Sequence, residues 1–240
     1  MTTTLRAKNL RRIVESGPNA AEVLCGCDLN LRGGGLTAIV GHSGSGKTSL
    51  LMCLSGLDEP TSGSVTVDEQ DIYRLSANKR ARMLRTKIGF VFQQYNLVPF
   101  LTVEENIKLP FQLSREKIPQ DVINELIESF NLSHRRNAPA RTLSGGEQQR
   151  TALCRALARR PDIVFADEPT GALDSQSTEI VLHTLRRMAD EGQMIVMVTH
   201  DLEAATLADT VVVMRDGRIV QTVGRSTSQE LLELMSNAGE

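Results

Sequence analysis

Long apolar runs and an excess of charge of either sign are both missing from this 240-residue sequence. No stretch approaches the roughly 18 uninterrupted apolar residues of a membrane helix, and residues 1–8 lack an apolar leader segment. We therefore expect a soluble chain that stays inside the cell and has no transmembrane segment. Lys and Arg number 27 against 29 Asp and Glu, a net charge of −2. That balance lacks the basic footprint of a DNA- or RNA-binding domain, so no nucleic acid partner is expected.

Cysteine is scarce as well, with four residues at positions 25, 27, 53 and 154. Thiols so few and so scattered exclude a disulfide framework and fit a reducing cytosol. Cys25 and Cys27 stand two apart in a strand-like run, so they would share one face and could form half of a metal site. Because no second pair follows, small apolar strand residues are the simpler interpretation.

Short apolar runs predict strands in the first third of the chain. Residues 5–10 and 23–31, separated by a turn-forming segment at 15–19, predict a β-rich beginning. Residues 36–40 precede a glycine and an amphipathic stretch at 48–57, which is the strand–loop–helix order of a nucleotide-binding unit. Further strands are predicted at 65–67 and 88–92.

Helices replace strands between about residues 98 and 158, where apolar residues recur at helical spacing in 118–130. We predict a helical subdomain at 98–158, inserted into a catalytic core formed by 1–97 and 159–240. Apolar runs at 163–166 and 194–199, joined by a helix at 175–191, are typical of parallel strands buried on both faces. A hairpin at 210–220 and a short helix at 226–237 follow. The order of elements predicts an α/β fold with a parallel sheet.

One loop has the composition of a phosphate-binding site. Residues 41–48 read GHSGSGKT and match G-x-x-x-x-G-K-[ST] between a predicted strand and a predicted helix, as that motif requires. Its glycines let backbone N–H groups converge on a phosphate, and the helix start adds its positive dipole end. The Lys side chain would reach the β- and γ-phosphates, and the Thr hydroxyl would hold Mg²⁺. The candidate ATP-binding residues here are Gly41, His42, Ser43, Gly44, Ser45, Gly46, Lys47, Thr48 and Ser49.

Two carboxylates follow the predicted strand at 163–166. Asp167 could steady Mg²⁺ through water, and Glu168 could orient and polarise an attacking water in phosphoryl transfer. Acidic pairs also simply terminate strands. Two adjacent carboxylates beside a buried strand are nevertheless costly without a cation or a reacting group. We therefore predict that Asp167 binds the metal and Glu168 is catalytic.

Between these motifs lies the octapeptide LSGGEQQR at residues 143–150. Ser144 can cap the following helix, predicted at 147–159, while Gly145 and Gly146 leave its first N–H groups open to an anion. A simple helix cap would tolerate almost any residues around Ser144. The octapeptide and the phosphate loop together resemble the ABC ATPase family, and the similarity extends over nearly the whole chain.

The resemblance implies a RecA-like parallel-sheet core with an N-terminal antiparallel β subdomain, and it assigns roles to further residues. Gln93 would sense Mg²⁺ and a membrane partner, Asp174 would line a dimer interface, and His200 would contact the γ-phosphate beside Glu168. Taken singly, Gln93 would be a surface amide and His200 a helix cap. In trans, the signature would complete the ATP site of a second copy, giving a head-to-tail dimer closed by ATP. The signature residues concerned are Ser144, Gly145, Gly146 and Gln148.

ABC subunits usually stack adenine on an aromatic residue near the position of Val14. Residues 11–15 contain no aromatic residue. We expect an apolar contact from Val14, or from a residue that the sequence does not identify, and weak discrimination between ATP and GTP.

Within the family, residues 89–97, 102–106 and 167–175 look most like the MacB/LolD/HrtA group, whose members drive four-helix permeases. The resemblance implies a subunit at the cytoplasmic face of the membrane, exporting haem, an amphiphilic drug or peptide, or lipoprotein through a separate integral membrane permease. Residues 99–103 and 122–130 would either dock that permease or pack within the helical subdomain. The basic run at 79–87 is either a solvated helix face or a surface for lipid or the partner.

Other classes use related cassettes. Chromosome-maintenance members have long heptad arms between the phosphate loop and the signature, and no sustained heptads separate Lys47 from Ser144 here. Ribosomal members carry two cassettes and basic linkers, whereas this sequence has one cassette and no such linker. An FtsE-like relative, whose membrane partner transmits force and exports nothing, would share the same cassette chemistry and stays an open alternative. An inactive scaffold is disfavoured because Lys47, Asp167, Glu168 and His200 are all present.

Overall fold

The computed structural model describes residues 3–14, 20–171 and 173–237. The strands are β1 (Thr4–Val14), β2 (Ala21–Arg32), β3 (Gly35–Val40), β4 (Ser62–Val67), β5 (Gln70–Asp71), β6 (Ile88–Val91), β7 (Ile163–Asp167), β8 (Met194–Val198), β9 (Thr210–Arg215) and β10 (Arg218–Val223). The α-helices are α1 (Lys47–Ser55), α2 (Ala77–Lys87), α3 (Val103–Ser114), α4 (Gln120–Ser129), α5 (Gly145–Leu157), α6 (Ser175–Asp190), α7 (Leu202–Thr206) and α8 (Ser228–Asn237).

The larger sheet has the order β10-β9-β3-β8-β7-β6. Strands β9, β3, β8, β7 and β6 pair in parallel, and β10 adds an antiparallel edge. Because parallel strands end at the same edge of a sheet, the loops that follow β3, β6, β7 and β8 form one rim. Open α/β sheets bind ligands at this kind of rim.

The smaller sheet is antiparallel, with the order β2-β1-β4-β5. It covers one face of the larger sheet, and α1 lies in the apolar core between them. Leu5 and Leu24 of the smaller sheet, Leu51 of α1, and Phe165 and Val196 of the larger sheet are all buried there. This core fixes the start of α1 at the rim.

A second apolar core covers the other face of the larger sheet and continues into the helical segment. Val164 of β7 and Ile195 of β8 share it with Phe111 of α3, Ile127 of α4 and Leu153 of α5. Side chains alternate between the faces of a strand, so β7 contributes to both cores. Its buried pattern explains why the run at 163–166 is apolar throughout.

The predicted α/β architecture is confirmed, including the antiparallel subdomain and the helices within 98–158. The first strand is longer than predicted, and the predicted turn at 15–19 lies outside the described residues. Two helices were not predicted individually. Helix α3 contains Pro110, which discourages a helix prediction, and α7 has only five residues.

Three of the four cysteines, Cys27, Cys53 and Cys154, are buried in the fold. The Cys27 thiol donates to Gly217 O at 3.1 Å, and burial raises the pKa of Cys27 to about 11 and that of Cys53 to about 12. No group of three potential metal-ligating side chains occurs within the described ranges. Those ranges therefore offer no further ligands that would complete a metal site with Cys25 and Cys27. Over the same ranges, no helix is long and apolar enough to cross a membrane.

Candidate functional site

The rim of the larger sheet contains a cleft of about 470 Å³. It brings together residues that the sequence separates by more than 150 positions. Its walls are formed by Val23, Ser43, Gly44, Gly46, Lys47, Thr48, Ser49, Gln93, Glu168 and His200. The structure therefore brings much of the phosphate loop together with Gln93, Glu168 and His200.

Helix α1 begins at this cleft without a side-chain cap. Its N-cap is Gly46, with φ 93°, and its first turn contains no acidic residue. A Cβ on Gly46 would lie 2.5 Å from Val23 O, so only glycine fits both the backbone angle and the space. The first N–H groups of α1 and its dipole are thus available to an anion.

Lys47 is buried at the base of the loop. Its Nζ donates to Gly41 O at 2.8 Å and to His42 O at 2.9 Å. Burial lowers the pKa of Lys47, and the nearby Glu168 and Asp167 carboxylates partly oppose that effect. The ammonium therefore lies among loop carbonyls and next to the acidic pair, where it can reach a phosphate at the start of α1.

Thr48 and Asp167 form the candidate metal site. Thr48 Oγ1 donates to Asp167 Oδ1 at 3.0 Å, so two distant motifs meet directly. Burial raises the pKa of Asp167, which makes a cation partner favourable for the carboxylate. Thr48 lines the cleft together with Gln93, and the hydroxyl, carboxylate and amide oxygens of Thr48, Asp167 and Gln93 are the hard donors that Mg²⁺ prefers.

Glu168 and His200 are in contact across the cleft. His200 Nδ1 lies 2.8 Å from Glu168 Oε2. The Glu168 backbone has φ 47°, in the left-handed region, and is held by Glu168 N donating to Val198 O and Gly171 N donating to Glu168 O. A non-glycine residue held in that region is frequently functional. His200 is not a helix cap, because Asp201 caps α7 through the N–H groups of Glu203 and Ala204.

The signature residues lie at the start of α5, away from this cleft. Ser144 is the N-cap, accepting from Glu147 N at 3.3 Å, and Glu147 Oε2 accepts from Ser144 N at 2.8 Å. Gly145 and Gly146 form the first turn, and Gln148 Nε2 donates to Leu143 O. Among the cleft-lining residues there is none from 144–148. One chain therefore has two separate helix starts suited to anions.

Glu147 would repel an anion at α5 if its charge were not balanced. Arg135 Nε lies 3.2 Å from Glu147 Oε1, and His134 Nε2 lies 3.6 Å away. Burial alone would raise the pKa of Glu147, but the Ser144 N–H and the charge of Arg135 outweigh it and lower the pKa. Sequence reasoning missed Arg135, which stands nine positions before Ser144 in a short 3-10 helix, Ser133–Arg135, that carries no motif.

Two predicted residues have different surroundings from those expected. Val14 is exposed at the end of β1, paired with Ala21, and it does not line the cleft; Val23 of β2 does. Asp174 caps α6, accepting from Ser177 N and from Ser177 Oγ, each at 2.8 Å. Asp174 therefore has a local structural role in addition to any role at an interface.

A model of the ABC transporter family matches residues 24–171. The chain is 42% identical over 223 residues to the macrolide export ATP-binding/permease protein MacB of Shigella flexneri, covering 92% of this chain and 34% of that protein. It is 40% identical over 226 residues to MacB of Campylobacter jejuni, covering 93% and 35%. The chain thus spans about a third of the length of these curated relatives.

Solved structures give the same result. A dimeric post-hydrolysis state of the ATP-binding cassette MJ0796 bound to ADP and Pi matches with a TM-score of 0.87 and 34% identity, over 92% of this chain and 99% of that one. CbiO1 from Clostridium perfringens, part of an ABC transporter complex, matches with a TM-score of 0.79 and 27% identity, over 97% and 92%. The chain belongs to the ABC transporter family, as an ATP-binding and ATP-hydrolysing cassette.

Proposed function

We propose that two copies of this chain bind two ATP molecules head to tail and hydrolyse them with Mg²⁺ to drive a separate membrane permease. The observation that carries the proposal is the separation of the two anion sites on one chain. Ser144 is exposed and Gly145 is half-buried at the start of α5, and neither lines the cleft of Lys47 and Glu168. A second copy can supply a signature to that cleft, and the related cassette MJ0796 is dimeric.

Within one site the residues have distinct tasks. Lys47 and the N–H groups of α1 bind the phosphates, and Thr48, Asp167 and Gln93 would hold Mg²⁺, which offsets phosphate charge in phosphoryl transfer. Glu168 accepts a proton from the attacking water, and His200, 2.8 Å from it, orients the carboxylate and reaches the γ-phosphate. Ser144, Gly145, Gly146 and Gln148 of the second copy contact the same phosphate.

The permease would contact the loop at residues 98–102, in the helical subdomain. Phe100 is 77% exposed there, and the Arg141 guanidinium lies 5.6 Å from its ring centroid. The loop itself is held firmly, because the buried Asn106 accepts from Val98 N at 2.8 Å and donates to three carbonyls of the loop. A partner pressing on Phe100 would therefore move the loop as a unit.

Backbone hydrogen bonds connect this loop to the segment that leads to the signature. Ala140 N donates to Leu101 O at 2.9 Å, and Arg141 N donates to Pro99 O at 3.0 Å. Ser144 follows three residues later. Dimer closure at Ser144 and movement at Phe100 are thus linked through two short segments, which supports mechanical coupling at the cytoplasmic face of the membrane.

For the cargo, we propose an amphiphilic molecule or lipoprotein, with haem among the candidates. The support is similarity to MacB, which is named for macrolide export. Apart from Val23, the described residues that line the cleft are the ones we assign to phosphate, Mg²⁺ and water. Cargo recognition would therefore belong to the permease.

The proposal is tested by purifying the tagged Glu168→Gln chain with ATP and Mg²⁺ from detergent-solubilised membranes. We expect an ATP-dependent dimer together with a four-helix permease. The matched control is the Glu168→Gln/Lys47→Ala double variant, which should recover neither dimer nor ATP. A dimer without any membrane protein would contradict the permease proposal, and the absence of a dimer with ATP bound would contradict the head-to-tail mechanism. A membrane partner whose deletion affects the cell wall but no export would favour the FtsE-like alternative.

A further inference from the structure

Two adjacent buried side chains of α5 reach across to the segment that follows the catalytic glutamate. Gln149 is 1% exposed and Arg150 is 8% exposed. Neither contacts solvent appreciably, and neither lines the cleft. Polar groups this buried need hydrogen-bond partners, and both find one outside their own helix.

Gln149 bonds the residue next to Glu168. Its Nε2 donates to Pro169 O at 2.8 Å. The turn that follows closes on the glutamate, because Gly171 N donates to Glu168 O at 3.2 Å. Helix α5 thus holds the turn that keeps Glu168 at φ 47°.

Arg150 bonds the other end of the same segment. Its Nη1 donates to Ser177 Oγ at 2.5 Å, and Ser177 Oγ donates to Asp174 Oδ2 at 2.8 Å. The contact is tight, since a Cβ on Gly146 would lie 2.5 Å from Ser177 Oγ. The first turn of α5 therefore rests directly on the first turn of α6.

These contacts fix Pro169 and Ser177 to α5. A displacement of α5 must carry both residues with it or break buried hydrogen bonds, one of which involves a guanidinium. Leaving such groups unpaired costs more than an ordinary hydrogen bond contributes. The two segments should therefore shift together.

The consequence for the dimer rests on the proposed function. Ser144, at the start of α5, contacts the ATP bound by the second copy, whereas Glu168 of the same chain acts on the ATP bound by its own cleft. We infer that Gln149 and Ser177 are positioning residues that couple the two ATP sites of the dimer. ATP at one site sets α5, and α5 sets the glutamate of the other site through Pro169 and Asp174.

Ser177→Ala is the mildest test. It removes the hydroxyl between Arg150 and Asp174 but leaves Ser177 N to cap with Asp174. Thr184→Val is the matched control, because it removes a buried hydroxyl of the same helix that bonds only Ile180 O. Gln149→Leu removes the amide that donates to Pro169 O and so tests the contact next to Glu168. Circular dichroism and thermal unfolding establish that each variant is folded.

The main readout is the ATP dependence of steady-state hydrolysis by the full chain. We expect a Hill coefficient above one in the parent and in Thr184→Val, and a coefficient of about one in Ser177→Ala and Gln149→Leu. The coupling between sites should fall at least about fivefold. Affinity of the monomer for a fluorescent ATP analogue should stay unchanged, because no cleft residue is altered.

Three results separate the possible failures. An unchanged Hill coefficient in both variants would overturn the coupling role. A fall in monomer ATP affinity as large as the fall in coupling would also overturn it, since the residues would then support the cleft itself. A parent that shows no cooperativity, and a Glu168→Gln chain that stays monomeric with ATP, would instead refute the proposed dimer on which the inference depends.

Discussion

The two helix starts that we propose as contacts for the ATP phosphates differ in the charges around their first turns. Helix α1 begins at Gly46 with no side-chain cap and no acid in its first turn, so its N–H groups and dipole attract phosphate unaided. Helix α5 begins with a capping box of Ser144 and Glu147, which places a carboxylate where an anion should bind. Arg135, in another segment, balances that carboxylate with its guanidinium charge.

The start of α3 has the same capping box as α5, but among the described residues no cation pairs with its carboxylate. Thr102 and Glu105 form this box. There Glu105 Oε2 accepts from Thr102 N at 2.8 Å and from Thr102 Oγ1 at 2.9 Å, and within the described ranges Glu105 has no ion pair. The local motif is the same at α3 and α5. What differs is the nearby charge, because Arg135 pairs with Glu147, and we propose that this pairing lets α5 accept an anion.

The largest effect is expected at α1. Lys47→Ala should weaken ATP binding by at least about 100-fold, because a buried ammonium contributes charge-assisted hydrogen bonds to phosphate. Binding of a fluorescent ATP analogue to the monomer measures this directly. Lys79→Ala, which removes an exposed lysine of α2, is the control and should bind normally. Normal affinity in Lys47→Ala would refute the phosphate assignment.

A smaller effect is expected at α5. Arg135→Ala should weaken ATP-driven dimerisation of the Glu168→Gln chain by about tenfold, because the unbalanced Glu147 would repel the partner's phosphate. Size-exclusion chromatography at varied ATP concentration measures it, and ATP affinity of the monomer should not change.

A second substitution at Glu147 should rescue the dimerisation that Arg135→Ala weakens. Adding Glu147→Gln to Arg135→Ala removes the repelling charge and should restore most of the dimerisation. If the double variant dimerises as poorly as Arg135→Ala, then Arg135 acts through its bond to Thr142 O and the charge-balance explanation is wrong.

At α3 we expect an effect on stability alone. Thr102→Ala should lower the free energy of unfolding by about 1 kcal/mol, the usual cost of losing an N-cap. Urea unfolding measures it. Dimerisation of the Glu168→Gln background should stay normal, and a clear loss would mean that α3 and α5 do not differ in the way proposed.

The smallest effect concerns the base. We propose that affinity comes mainly from phosphate binding at α1 and that the base meets only the apolar Val23, which lines the cleft. ATP and GTP should then differ in affinity by less than about threefold. Competition of GTP against a fluorescent ATP analogue measures the ratio. A strong preference for ATP would reveal a base contact beyond Val23.

Sequence alone predicted the parts whose chemistry is local. Residues 41–48 and the pair Asp167 and Glu168 need particular residues at fixed spacing after a strand, so the pattern reveals both the motif and the parallel sheet. The octapeptide at 143–150 identified the helix start at Ser144 for the same reason. The family resemblance then supplied Gln93 and His200.

The remaining features depend on contacts between distant segments. Val14 was chosen by aligning Val23 and Leu24 with the family, and the structure shows that Val14 is exposed at the end of β1 while Val23 lines the cleft. Arg135, Gln149 and Ser177 have no motif of their own. Their roles become visible only in the structure, where α5 packs against α6 and against the 3-10 helix that contains Arg135.

The burial of the cysteines makes the chain convenient for site-directed chemistry. Only a thiolate reacts quickly with a maleimide, and burial keeps Cys27, Cys53 and Cys154 protonated and covered. Cys25 is the remaining, partly exposed thiol. A Cys25→Ser chain would therefore serve as a quiet background in which one cysteine introduced at Phe100 reports on movement of the docking loop by fluorescence.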